Sequence, residues 1–216
     1  MPIVAGPDGS LEGSHYLGLA IRNIADEQNH CGILYRLDSG EVRMLHLAFH
    51  FDLRDEELRA NYWCAPAGLE LENQLVVAAF ASTIANAKPN VPYGFDANGM
   101  VFDSGSGELL EAPAGRGLTC ATFILALFRT LGFEPVDQET WPMRPEDEIW
   151  QQQITQAMTQ AGASQDHIDA VTDNGRSRRF RPEEVVGTSA TSDDEWSIDF
   201  DMARVIAQEV LDDLAA

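Results

Sequence analysis

Three apolar runs near the start of the chain carry the signature of strands. The first is His15-Tyr16-Leu17-Gly18-Leu19-Ala20-Ile21-Arg22, broken by polar residues at 25–29. The second is Gly32-Ile33-Leu34-Tyr35-Arg36, and the third is Val42-Arg43-Met44-Leu45-His46-Leu47-Ala48-Phe49. Asp38-Ser39-Gly40 lies between the last two and marks a hairpin turn. Together the runs predict an antiparallel meander. The charged stretch 54–60 reads as a connection or a short helical turn. Over 69–87, apolar residues at 71, 75, 76, 79, 80 and 84 have helical spacing, closed by Lys88-Pro89-Asn90. Tyr93-Gly94-Phe95 and Met100-Val101-Phe102 flank Asn98-Gly99 and predict a second, short hairpin.

Residues 103–117 are rich in Gly and read as loop. Thr119 is a fitting N-cap for a helix over 120–131 that is apolar nearly all round and should be buried against the sheet. Residues 145–173 suit one or two surface helices. Residues 174–195 mix Arg, Ser, Gly and Asp and read as irregular. The last helix, over 199–214, has apolar positions at 202, 205, 206, 210 and 214. These elements predict an α+β protein with three parts. Residues 1–14 form a loose lead-in, 15–133 the core, and 134–216 a helical extension packed on that core.

Composition narrows the classes of function. Of 216 residues, 14 are Lys or Arg and 35 are Asp or Glu, a formal charge of −21. Such a surface repels phosphate backbones and anionic membranes, so nucleic acid is not an expected partner, whereas a cationic protein is a possible one. No apolar run reaches the length of a membrane span, and the first residues lack the basic and apolar regions of a signal peptide. A cytoplasmic address, or export without a signal peptide, is expected. The three cysteines, Cys31, Cys64 and Cys120, are an odd count with no CxxC pair, which argues against a disulfide scaffold and a zinc ribbon. Residues 103–108 lack the alternating ligands of a calcium loop, and no phosphate-binding glycine motif is present. No metal and no cofactor is expected.

Chemistry concentrates at Cys120. A cysteine in the first turn of a helix meets unpaired N–H groups and the positive end of the helix dipole, both of which favour thiolate. Gly117 in the preceding Gly-Arg-Gly loop would let a substrate backbone approach, Arg116 would add positive charge, and Thr119 with the Cys120 N–H would stand at an oxyanion site. A thiol nucleophile needs a base and a group to orient that base. If the strands pair about residues 38 and 39, position 30 falls opposite roughly 47, within a residue of 46. His30 and His46 are therefore the candidates, provided the register puts both on one face. Cys31, beside His30 in the strand, should point to the opposite face and serve packing. His15 and His50 rank lower. Arg176, Arg178, Arg179 and Arg181 form the one basic cluster, expected to pair with the chain's own carboxylates.

These residues carry a resemblance. His30-Cys31-Gly32-Ile33-Leu34-Tyr35, then Leu45-His46-Leu47-Ala48, then Thr119-Cys120-Ala121-Thr122-Phe123 resemble, in order and spacing, the motifs of the permuted papain-like thiol enzymes. That group includes the permuted NlpC/P60 proteins and the lecithin:retinol acyltransferase-like enzymes. Pro92-Tyr93-Gly94-Phe95 is similar to their Tyr-bearing segment upstream of the cysteine. The resemblance spans roughly residues 15–133. It departs at Thr119, where Asn or Tyr is frequent, and at Ala121-Thr122, where polar residues are usual. It implies a papain-like antiparallel sheet packed on a nucleophile-bearing helix. Cys120 would be the nucleophile, His30 the base, His46 the orienting residue, and Tyr93 a substrate-side group; the other assignment makes His46 the base, oriented by a carboxylate or amide. The implied activity is a cysteine peptidase or amidase, a hydrolase acting on a peptide or peptidoglycan-like substrate through an acyl-thioester. The alternatives are a lipid-directed acyltransferase on the same fold, and a non-catalytic acidic binding protein of inhibitor or immunity type.

Overall fold

The main sheet of this computed structural model contains β2 (Leu17–Ala25), β3 (Gln28–Arg36), β4 (Val42–Phe49), β5 (Asp52–Glu57) and β6 (Trp63–Pro66). A two-residue strand, β1 (Val4–Ala5), extends it at one edge, giving the order β1-β6-β2-β3-β4-β5 with every pairing antiparallel. The structure describes residues 3–5, 11, 15–25 and 28–216. Most of the expected lead-in therefore lies outside the described residues. The meander forms as its alternation requires. Leu17, Leu19, Ile21, Cys31, Ile33, Tyr35, Leu45 and Leu47 line one face and join the main core. Leu11, Ala20, Leu34, Met44, Tyr62 and Cys64 form a smaller cluster on the other face.

Among the described residues, six α-helices complete the α+β fold: α1 (Leu71–Ala87), α2 (Cys120–Thr130), α3 (Asp147–Gln160), α4 (Gln165–Asp173), α5 (Pro182–Ala190) and α6 (Phe200–Leu214). On the main-core side, α1 meets β2 and β3, α2 meets β3 and β4, and α5 meets β2, β3 and β6. Helix α6 packs outside α5, and α3 packs with α4. The core cluster runs on through Val136, Trp141, Met158, Val185, Val186 and Val210, so residues beyond 134 share the sheet's core. No helix among the described residues is long and apolar enough to cross a membrane.

Several elements differ from their expected form. The charged stretch 54–60 contributes to β5, an edge strand on which Arg54 pairs with Asp52 at 2.5 Å. Charge on an edge strand discourages pairing with another chain, which explains a strand without an apolar pattern. The hairpin expected about Asn98-Gly99 is instead β7 (Val101–Phe102) with β8 (Leu109–Leu110), and Tyr93 bridges Leu118 in parallel. The segment 174–195, expected to be irregular, holds α5, every residue of which is buried. Pro182 at its first position and a Glu184 side chain bonded to the Arg181 N–H start that helix. A helix buried on all sides has no apolar–polar period, so its pattern is silent.

Two helix faces are also rotated from expectation. In α1 the buried side is Gln74, Val77, Ala78, Phe80, Ala81, Ile84 and Ala85, while Leu71, Leu75 and Val76 are exposed. Gln74 earns its place inside by hydrogen bonding: its carbonyl accepts from the Tyr16 N–H at 3.1 Å and its amide donates to Leu69 O at 2.8 Å. In α6 the small residues Ala203 and Ala207, with Val210, face inward and leave Met202 and Val205 exposed. A Cβ on Gly187 of α5 would lie 2.6 Å from Ile206 Cγ2, so this close helix contact selects small residues.

Candidate active site

Cys120 is the first residue of α2, and the cap before it organises the helix start. Thr119 Oγ1 accepts from the Thr122 N–H at 3.2 Å, and Thr122 Oγ1 accepts from the Thr119 N–H at 2.7 Å. The Phe123 N–H donates to Thr119 O. Cys120 and Ala121 are then the first-turn residues whose N–H groups stay outside the cap. The thiol is buried, yet it is held well below the usual thiol range. The largest cause is a hydrogen bond donated by the Cys31 thiol, with burial opposing it. The His30 ring, by charge and by hydrogen bond, and the Cys31 N–H add to the lowering. Burial and the facing Cys120 sulfur push Cys31 the other way, well above the ordinary value, so Cys31 is the donor of the pair.

Register brings the two histidines together. The β3–β4 ladder pairs Ile33 with Leu45 and Arg36 with Val42, and extended toward the site it would set His30 opposite Ala48. This is one residue beyond the expected pairing, and the parity matters. Residues 30, 48 and 46 then share a face, whereas pairing 30 with 47 would have parted the histidines. The recorded ladder stops at Ile33, and beyond it His30 Nε2 lies 2.7 Å from His46 Nδ1. Gly32 makes the room, since a Cβ there would sit 2.9 Å from His46 Cβ.

A carboxylate completes the series. His46 Nε2 lies 3.4 Å from Glu56 Oε1, at ion-pair distance but outside good hydrogen-bond geometry. Glu56 also pairs with Arg59 at 2.9 Å. Burial, then the charge of His30, push His46 down to about 4, with Glu56 acting in the opposite direction. His46 is therefore neutral near pH 7. With its proton on Nε2 toward Glu56, its Nδ1 accepts from His30 Nε2–H. That assignment leaves His30 Nδ1 as a lone pair available to the thiol.

Tyr93 lines the same cavity as Cys120. Burial, then the neighbouring Cys120 and Cys31, push this phenol well above its ordinary value. Two further histidines brace its backbone. His50 Nδ1 accepts from the Tyr93 N–H at 3.2 Å. His167, on α4, lies with Nε2 2.9 Å from Tyr93 O, while its Nδ1 accepts from the Gly115 N–H at 3.3 Å. His50 and His167 carry little signal in the sequence, because neither sits in a local motif and both act through backbone groups distant in sequence.

Gly117 and Arg116 occupy different positions from those expected. A Cβ on Gly117 would lie 2.6 Å from both Gly94 N and Pro92 O, so this glycine permits close packing of two backbone segments beside the site. Arg116 pairs with Asp96 at 3.5 Å and also donates to Asn98 O, so its charge is held by its own loop. Cys31 does lie on the core face of β3, as alternation requires, but it packs on the Cys120 sulfur rather than away from the site.

Cys120, His30, Thr119 and Tyr93 line a cavity of about 210 Å³. Trp150 and Ile154 of α3, with Arg179, Phe180 and Pro182, form another wall, so the region beyond 134 covers the cysteine. The basic cluster is matched by the chain's own acids. Arg176 pairs with Glu148, Arg178 with Glu139, and Arg179 and Arg181 with Asp147. Among the described residues, no group of three or more His, Cys, Asp or Glu side chains is arranged to hold a metal ion. No family model, curated protein or solved structure matches this chain.

Proposed function

We propose that this protein is a cysteine hydrolase that cleaves amide bonds through Cys120, His30 and His46, on a fold of the permuted papain-like kind. The observation that carries the reading is that Cys120 and His30 line one cavity, with His30 Nε2 2.7 Å from His46 Nδ1 and His46 3.4 Å from Glu56. Each group supports the role of the one before it: Glu56 sets the His46 tautomer, His46 orients His30, and His30 exchanges a proton with the thiol.

In this mechanism the Cys120 sulfur attacks the amide carbonyl carbon, and the carbonyl oxygen takes the negative charge. The first-turn N–H groups of Cys120 and Ala121, with the Tyr93 hydroxyl, would be the donors offered to that oxygen. His30 gives its proton to the leaving amine as the C–N bond breaks, and a thioester on Cys120 remains. Water, losing a proton to His30, then attacks the thioester, releasing the acid and restoring the thiol. A peptide or peptidoglycan-like amide is the proposed substrate class.

Alkylation kinetics at neutral pH test the reading. Iodoacetamide should label Cys120 far faster than Cys64, whose thiol burial pushes up to about 12, and His30→Ala should abolish the advantage. Labelling of Cys120 no faster than Cys64 would overturn the proposal. Peptide amide turnover lost in Cys120→Ala would assign the hydrolase. Turnover that requires an added amine or alcohol would assign the acyltransferase instead.

A further inference from the structure

The cavity over Cys120 is unusual for this chain in its charge. The protein carries 35 acidic side chains against 14 Lys and Arg. Yet among the described residues that line the cavity none is acidic, and Arg179 is the one Lys or Arg. The remainder of the lining is apolar or neutral, with His30 the other titratable base.

Arg179 is partly buried, held in place, and only partly neutralised. Its side chain is 12% exposed, and its guanidinium carbon lies 4.0 Å from the centroid of the Trp150 ring, which fixes its plane. NH1 donates to Asp147 Oδ1 at 3.0 Å. That same oxygen accepts from Arg181 NH2 at 3.1 Å, and the other oxygen accepts from Arg144 Nε at 2.8 Å. One carboxylate is thus shared by three guanidiniums. Arg144 has a second carboxylate in Glu184 at 2.5 Å, and Arg181 has one in Glu146 at 3.8 Å. Arg179 forms no second ion pair among the described residues. A guanidinium offers five N–H donors, so the Nε and NH2 edge of Arg179 remains for a ligand. Two parallel N–H groups on one edge match the two oxygens of a carboxylate.

We propose that the acyl donor of this site bears a carboxylate a few atoms from the reacting carbonyl, and that Arg179 binds it. The cavity enforces the short separation, because a sphere of 210 Å³ is roughly 7 Å across, small beside ordinary ligand pockets. The inference rests on the thiol-enzyme reading and names the substrate class that the reading leaves open. Arg179 belongs to the segment preceding α5, so the specificity-determining charge comes from the part of the chain that lies beyond the papain-like motifs.

Two alkylating agents that differ in charge test the proposal on the intact protein. Iodoacetate carries a carboxylate one bond from its reacting carbon, and iodoacetamide is its neutral counterpart. The overall charge of −21 works against an arriving anion, so a preference for iodoacetate at Cys120 requires a local cation. The ratio of the two rates at Cys120 should exceed the ratio for glutathione by about tenfold, the effect of one charge-assisted contact. Arg179→Met should return the ratio to that of glutathione. Arg179→Lys should retain part of the preference. Arg181→Gln, which alters the same ion cluster but not the cavity lining, should keep it whole. A wild-type ratio no higher than that of glutathione overturns the carboxylate assignment. So does an Arg179→Met protein with normal iodoacetamide labelling and an unchanged ratio. Should Arg179→Met fail to fold, the wild-type ratio and the Arg179→Lys variant decide the matter. If neither reagent labels Cys120 faster than Cys64, the thiol-enzyme reading falls first.

Discussion

Acidification probes the His30–His46 pair directly. Burial and the charge of His30 push His46 down to about 4 from an ordinary 6.5. In the unfolded chain this histidine titrates near its ordinary value, so between pH 6.5 and 4 the unfolded state binds more protons than the folded one. The contribution to stability is full above pH 6.5 and is lost as the pH falls toward 4. A displacement of that size corresponds to about 3 kcal/mol, a large part of the ~5–15 kcal/mol that holds a domain folded. Urea unfolding at steps from pH 7.5 to 4, for wild type and His46→Asn, measures it. The asparagine oxygen can stand where Nδ1 accepts from His30, but it does not titrate. Ionisable groups other than His30, whose charge acts on His46, behave alike in both proteins and cancel in the difference. Wild type should lose about 3 kcal/mol more than the variant across this window, and the curves should run parallel above pH 6.5. Parallel curves over the whole range would refute the burial of a neutral His46 and with it the tautomer assignment at His30.

Other expectations follow from single contacts. Cys31→Ala removes a donor to the Cys120 sulfur, so the pH midpoint of Cys120 alkylation should move upward. Gly32→Ala drives a methyl group toward His46 Cβ, 2.9 Å away, and should cost about 1–3 kcal/mol in chemical denaturation together with the rapid labelling of Cys120. Arg144→Met strips a partner from Asp147 and Glu184, both buried, and should destabilise by about 3–5 kcal/mol. The fluorescence of Trp141, whose indole N–H donates to Glu184 at 3.1 Å, should report that change. Thr119→Ala breaks the cap on α2 and should cost about 1 kcal/mol.

The acidity of the chain takes on a more local meaning beside this site. Much of the acid lies after residue 134, the region that also walls the cysteine cavity. Its carboxylates turn onto its own arginines, as Asp147 and Glu184 do, rather than into the cavity. The thiol is consequently lowered by near neighbours, Cys31 and His30, in a molecule whose overall charge would raise it.

Local pattern determined the elements whose two sides differ or whose caps are explicit. Alternation marked β2 to β4, and Thr119 marked the start of α2 through a side chain that bonds the helix's own N–H groups. The same logic placed Cys120 at a helix start and His30 and His46 on neighbouring strands. Tertiary structure decided what no window could carry. Helix α5 is buried on every side and has no period, β5 is charged because it is an edge, and α1 turns inward a glutamine that bonds backbone groups of distant residues. The site divides in the same way. The parity of the β3–β4 register, one residue from the simplest pairing, brought His30 onto His46. Glu56, Trp150 and Arg179 joined them from an edge strand, a helix and a connecting segment. Side-chain chemistry is written locally, whereas proximity between residues far apart in sequence depends on packing, and packing assembles the charge and walls of this cavity.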